Sequence, residues 1–118
     1  MGVIYKNKVK YAGGGIASND YSEVEQVIGN WIDGKTLYQK TCVYENTGGV
    51  LATNAWTSLN VNDLPTDIET QVEMQVSNGA CTLPIAAGVN NGVIRYFSSA
   101  AYGYDKLYFT IKYTKGNN

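Results

Sequence analysis

Histidine is absent from this chain, and its absence removes most of the usual chemistry of active sites. A Ser-His-Asp or Cys-His nucleophilic site needs an imidazole as base, and the commonest metal sites need one as ligand. Only two cysteines are present, Cys42 and Cys81, too few for a structural zinc site or a disulfide scaffold. Cys42 and Cys81 could pair, but one bridge closing a long loop is weak evidence for a secreted scaffold, and buried free thiols are the expectation. Charge is scarce and balanced: nine basic residues against ten acidic ones leave a formal charge of −1. No broad positive field would gather phosphate, and nucleic acid is not an expected partner. No apolar run approaches the roughly 18 residues of a membrane span, and the first residues lack the apolar core of a signal peptide. A soluble chain, made without a cleaved leader and not inserted in a membrane, is the expectation.

What is abundant is glycine and tyrosine, thirteen and ten of 118 residues, against only two prolines. Aromatic strand formers separated by turn residues indicate an all-β class. A chain of this length can bury about two-thirds of its unfolded surface in one core. We read residues 1–15 as an N-terminal arm with a glycine joint and residues 16–118 as one β-sandwich domain.

The most informative stretch runs from Tyr21 to Tyr44. Asp33-Gly34 has the composition of a two-residue type I′ turn, whose twist suits the strands beside it. Counting outward puts Trp31 opposite Thr36, Asn30 opposite Leu37 and Gly29 opposite Tyr38. Gly29 would then leave room for the Tyr38 ring. Ser22 followed by Glu25 has capping-box spacing, which allows a helical turn ahead of the hairpin. Upstream, Gly2–Tyr11 alternates Val3, Tyr5, Val9 and Tyr11 with three lysines, the pattern of an arm or a guarded edge strand. Gly13-Gly14-Gly15 reads as a joint, because no GK[ST] follows to make a phosphate loop.

Downstream, Glu45–Gly49 reads as a loop and Val50–Val61 as a strand of blurred period. Ile68–Val76 alternates cleanly, with Ile68, Thr70, Val72, Met74 and Val76 on one side. Asn78-Gly79 is a second type I′ signal, returning the chain as Cys81–Ile85, and Gly88–Gly92 a third reversal. Ser98–Asp105 is a loop displaying Tyr102 and Tyr104. The final strand, Lys106–Thr114, has Leu107, Phe109, Ile111 and Tyr113 inward. Seven or eight strands at such spacing make an antiparallel two-sheet sandwich or jelly roll.

The segment EQVIGNWIDGKTLYQKT, Glu25–Thr41, resembles the motif E-Q-x-V/I-G-x-W-I-D-G-K-x-L-Y-x-K-T of tail-fibre and related appendage proteins of bacteriophages and prophages. The closing TIKYTKGNN, with an aromatic followed by Thr-Lys, is similar to their last strand. Asn30 and Thr36 depart from the Thr and Pro common there. The resemblance implies a tail-fibre or head-fibre β-module of a virion, assembled in the host bacterial cytoplasm. It further implies a homotrimer that contacts other virion proteins and attaches to a bacterial cell-surface glycan or protein. A structural or decoration subunit of capsid or tail, binding only other virion proteins, is the alternative.

No cofactor, metal or catalytic residue is expected. The carboxylate pairs Glu23/Glu25 and Glu69/Glu73 have the residue types for glycoside hydrolysis, but their strand faces suggest solvated charges. Tyr102, Tyr104 and Asp105 are the candidate ligand contacts, since tyrosine offers an apolar ring with a polar tip. Tyr5, Tyr11, Trp31 and Tyr38 are the candidate subunit-interface residues.

Overall fold

A computed structural model describes residues 21–116 of the chain. The Gly2–Tyr11 arm with Tyr5 and Tyr11, the glycine joint and the last two asparagines lie outside the described residues. Among the described residues there are seven strands and no helix: β1 (Gln26–Asn30), β2 (Thr36–Val50), β3 (Thr57–Leu59), β4 (Ile68–Ser77), β5 (Ala86–Asn90), β6 (Val93–Phe97) and β7 (Gly103–Lys115). They form two antiparallel sheets, a four-stranded one ordered β1-β2-β7-β4 and a three-stranded one ordered β3-β6-β5. The sheets pack face to face as a sandwich.

The alternation of β7 is the reason they do. Leu107, Phe109, Ile111 and Tyr113 are each 0% exposed. Their partners across the ladder, Met74 and Val76 on β4 and Cys42 and Tyr44 on β2, share the inner face. The three-stranded sheet answers with Ile94 and Tyr96, and Leu51 and Leu83 close the sides. Each such side chain withdrawn from water contributes about 1.5–3 kcal/mol before the entropy of ordering is subtracted. Tyr96 also places its hydroxyl, which accepts the N–H of Ala52 at 2.9 Å.

The reversals fall where expected, but their chemistry differs. At the first, the N–H of Trp31 donates to the Lys35 carbonyl (2.8 Å) and that of Gly34 to the Trp31 carbonyl (2.9 Å). Gly34 has a φ of +89°, whereas Asp33 does not have a positive φ. This is the three-residue loop Ile32-Asp33-Gly34, a type I turn followed by a left-handed glycine, rather than a type I′ pair. The Asp33 carboxylate fixes it by accepting the Lys35 N–H at 2.9 Å. Asn30 therefore faces Thr36, and Gly29 faces Leu37. A second slip between Val27 and Gly29 brings Val27 opposite Tyr38. Gly29 is needed for its φ of +145° at this bulge, since a Cβ there would meet open space and not the Tyr38 ring.

At Asn78-Gly79 only the glycine has positive φ. The Asn78 side chain, accepting the N–H groups of Ala80 and Cys81, takes over the role expected of its backbone. The return segment Cys81–Ile85 makes a single bridge, Ser77 to Thr82, before leaving for the other sheet. The type I′ turn is at Asn91-Gly92, with φ values of 54° and 80°, between the paired Asn90 and Val93.

Three further expectations are corrected. Glu45–Gly49 is not a loop between strands but a wide bulge within β2, where Glu45 pairs with Lys106 and Gly49 with Tyr104. Within Val50–Val61, Val50 ends β2 and only Thr57–Leu59 forms a strand of its own, with Asn54 left-handed (φ 59°) and donating its N–H to the Ser98 carbonyl between them. In β4 the alternation is broken by register shifts between Ile68 and Thr70 and between Gln71 and Glu73. Thr70 thus shares the outer face with Thr114, and Gln71 shares the inner face with Tyr113. Gln71 uses that position to accept the Val89 N–H at 2.7 Å, closing the sandwich between β4 and β5.

Candidate functional site

The tyrosines expected to display themselves are built into the fold. β7 begins at Gly103, so Tyr104 and Asp105 are strand residues rather than loop residues. Tyr104 lies over the β2 bulge so closely that a Cβ on Gly49 would sit 2.6 Å from its Cζ. Asp105 accepts the Gly48 N–H at 2.9 Å and holds the same bulge. Tyr102 is half-buried against the core. Trp31 is half-buried at the first hairpin, beside Ile32, which is 85% exposed. Tyr38 stacks on Tyr113 within the chain, ring centroids 5.8 Å apart.

Tyr38 belongs to a cluster that the sequence reading did not assemble. The Tyr113 hydroxyl donates to Glu25, and Lys115 donates to the other Glu25 oxygen at 2.6 Å. The Lys115 ammonium also stands 4.4 Å from the Tyr38 ring centroid. Burial alone would raise the Glu25 pKa, but the hydrogen bonds from Lys115 and Tyr113 outweigh it and hold the carboxyl below its ordinary value. The Tyr113 hydroxyl is pushed well up, by burial first and by the adjacent Glu25 second. The hydrogen bond to Glu25 likewise raises the Lys115 pKa. Ser22 caps no helix; its hydroxyl accepts the Val24 N–H at 3.0 Å, and the chain bends at Glu23 and Val24 before it reaches this cluster. Glu25 and Tyr38 lie in the Glu25–Thr41 motif, and Tyr113 and Lys115 in the closing segment, so the two stretches that carry the sequence resemblance touch.

Of the other glutamates considered as acid-base pairs, Glu69 pairs with Lys35 and Glu73 with Lys112. Among the described residues no group of three His, Cys, Asp or Glu side chains gathers in a way that could hold a metal ion. Both cysteines are free. Cys42 is buried, and burial raises its thiol pKa, whereas Cys81 is exposed, contrary to expectation, because it sits in the tight turn after β4.

A groove of about 460 Å³ crosses the outer face of the four-stranded sheet. Its floor is Thr41, Val43, Thr110 and Tyr108, and its walls are Gln75 and the segment Tyr21–Glu23. Three contacts shape it. The Ser22 carbonyl accepts the Thr41 N–H at 2.8 Å, the Tyr21 hydroxyl donates to Gln75 Oε1 at 3.3 Å, and the Thr41 and Thr110 hydroxyls are 2.9 Å apart. A second depression of about 620 Å³ shares Glu23, Thr41, Val43 and Tyr108 with it and runs on to Lys40, Asn62 and Asp63. Two tyrosine rings with hydroxyl, amide and carboxylate groups between them suit a ligand with both apolar and hydroxylated surface. Sequence could have hinted at this site only through the hydroxyl-bearing outward positions of β2 and β7. Tyr21 reaches it from outside any strand, by a contact no periodicity encodes.

No protein-family model, no curated protein and no solved structure matches the chain.

Proposed function

We propose that this chain is a non-enzymatic module of a bacteriophage fibre or related virion appendage that attaches to a bacterial surface glycan or protein. The observation that carries this reading is the contact between Glu25, Tyr38, Tyr113 and Lys115. A fibre-like motif in two distant pieces is more than a chance string when its pieces lock together. The groove between Tyr21 and Tyr108 is the attachment site in this reading, with aromatic faces for the carbon skeleton of a sugar and Gln75, Thr41 and Glu23 for its hydroxyls.

The test is binding of labelled protein to intact bacteria and to a glycan array, comparing wild type with Tyr21→Ala and Tyr108→Ala. Loss of binding with an unchanged circular dichroism spectrum is the expected result. Absence of binding to any cell or glycan would reject attachment. Tyr104→Ala is unsuitable for this purpose, because that ring covers Gly49 and its removal disturbs the fold.

A second reading, a structural or decoration subunit that contacts only other virion proteins, is favoured by a specific feature. Val24, Val27 and Ile32 are all more than half exposed along the β1 edge and its hairpin. Apolar side chains along a strand that lies at the sheet edge among the described residues suit a protein partner. In the fibre reading the same edge serves a homotrimer seam, with Trp31 beside it. Light scattering at micromolar concentration tests this, and a trimer that dissociates in Ile32→Asp is the expected outcome.

A further inference from the structure

We infer that the outer face of the three-stranded sheet is a second binding site, for a sugar bearing a carboxylate, with Arg95 receiving the acid and Trp56 carrying the ring. The inference rests on the attachment reading for its biological sense, but not for its chemistry.

The pairings Ser58 to Arg95 and Gly88 to Arg95 put Arg95 at the middle of this face, in the central strand. Phe97 is next on the same side of β6, opposite Ala86. Trp56, just before β3, packs its indole on Phe97 with centroids 5.7 Å apart, and the Arg95 guanidinium carbon lies 5.3 Å from the indole centroid. Trp56 remains 55% exposed. Ala86 and Gly88 have almost no side chain, so a depression of about 370 Å³ opens beside Arg95 and Trp56.

Charge decides what would occupy it. β3, β5 and β6 contain no Asp or Glu. Every lysine among the described residues is engaged: Lys35, Lys106, Lys112 and Lys115 by glutamates, and Lys40 by the Asp63 carbonyl at 2.6 Å. Arg95 is the one cation among the described residues that no carboxylate or carbonyl meets. Its contact with Trp56 uses the ring face and fixes the side chain while leaving the N–H fork for a planar, two-oxygen anion. A single positive charge matches a carboxylate better than a phosphate dianion, and the adjoining indole offers a stacking surface for a sugar ring.

The experiment uses the full chain carrying Trp31→Phe, so that emission reports Trp56 alone. Polygalacturonate oligomers are titrated by fluorescence and calorimetry, with neutral maltooligosaccharides of equal length and inorganic phosphate as the other arms. The expected result is saturable binding of the acidic oligomer, weakened by salt and at least about tenfold weaker in Arg95→Gln, with much weaker binding of the neutral oligomer. Equal binding of acidic and neutral sugars, binding unaffected by Arg95→Gln, preference for phosphate, or no binding would each overturn it. Wild-type protein that adsorbs to cells while failing to take up polygalacturonate would leave attachment standing and remove this site. Uptake of polygalacturonate without adsorption to any cell would do the reverse.

Discussion

The two outer faces of the sandwich treat charge in opposite ways. On the four-stranded sheet, Lys112 lies 3.6 Å from Glu73, Lys106 lies 3.6 Å from Glu45, and Lys35 reaches Glu69 across the intervening β7. The three-stranded sheet has one charge, Arg95, and it meets only an indole. Exposed ion pairs are each worth about 0–1 kcal/mol, so the first face does not owe its order to them individually. They leave it electrostatically quiet, and its groove is lined mainly by hydroxyl-bearing side chains. The small face keeps a charge uncompensated at little cost, because Arg95 is only half-buried and water still reaches it. The four-stranded face thus pairs its strand charges within the fold, whereas the three-stranded face leaves Arg95 without a carboxylate among the described residues.

The largest effect should come from what both faces share. Phe109→Ala, which empties the contact between the sheets, should cost about 3–5 kcal/mol in urea unfolding and erase the distinction between the faces by unfolding them together. Glu25→Ala touches the four-stranded side alone and leaves the buried Tyr113 hydroxyl without its acceptor, for about 1–3 kcal/mol. The pH dependence carries a definite sign. The folded Glu25 pKa lies below its ordinary 4.5, so its contribution is complete above that value and fades as the pH falls through the folded one. The advantage of wild type over Glu25→Ala should therefore shrink as the pH is lowered from 7 into the acid range, as read from urea midpoints. A difference that stays constant throughout that range would mean that packing, not charge, holds this corner.

A loss of similar size, about 1–3 kcal/mol but confined to one bulge, is expected for Gly49→Ala, whose new methyl group collides with the Tyr104 ring. Chemical shifts should move around Asn46–Gly49 and stay put on β5 and β6. The smallest effect on stability, about 0.5 kcal/mol, is expected for Arg95→Gln, which gives up only its contact with Trp56. A loss as large as that of Glu25→Ala would make Arg95 a structural residue and dissolve the contrast between the faces.

Strong periodicity was legible: β7, the all-β class, the antiparallel sandwich and the positions of the reversals follow from alternation and turn residues. What escaped were features set by one atom or one inserted residue. Asp33 prefers to accept the Lys35 N–H with its side chain, and that preference moved the hairpin register by one. The extra residue at the bulge in β4 sent Gln71 inward, where a glutamine looked out of place until Val89 supplied its partner. The site residues fared differently. Tyr104 and Asp105 were singled out for their types, yet their neighbours across the ladder, Gly48 and Gly49, consume them. Arg95 and Trp56 are 39 positions apart in sequence (95 − 56), and only the pairing of β3 with β6 brings them together.

The clasp formed by Glu25 on Lys115 also has a mechanical meaning. β1 and β7 are both antiparallel to β2 and so run parallel to each other, and tension applied between Glu25 and Lys115 loads this ion pair together with the β1–β2 ladder in shear. Beyond it, β1 is held to β2 by only four pairings, whereas β7 is flanked by β2 and β4 along most of its length. In a pulling experiment β1 should therefore detach before the rest of the sandwich opens, because its four pairings carry the load alone.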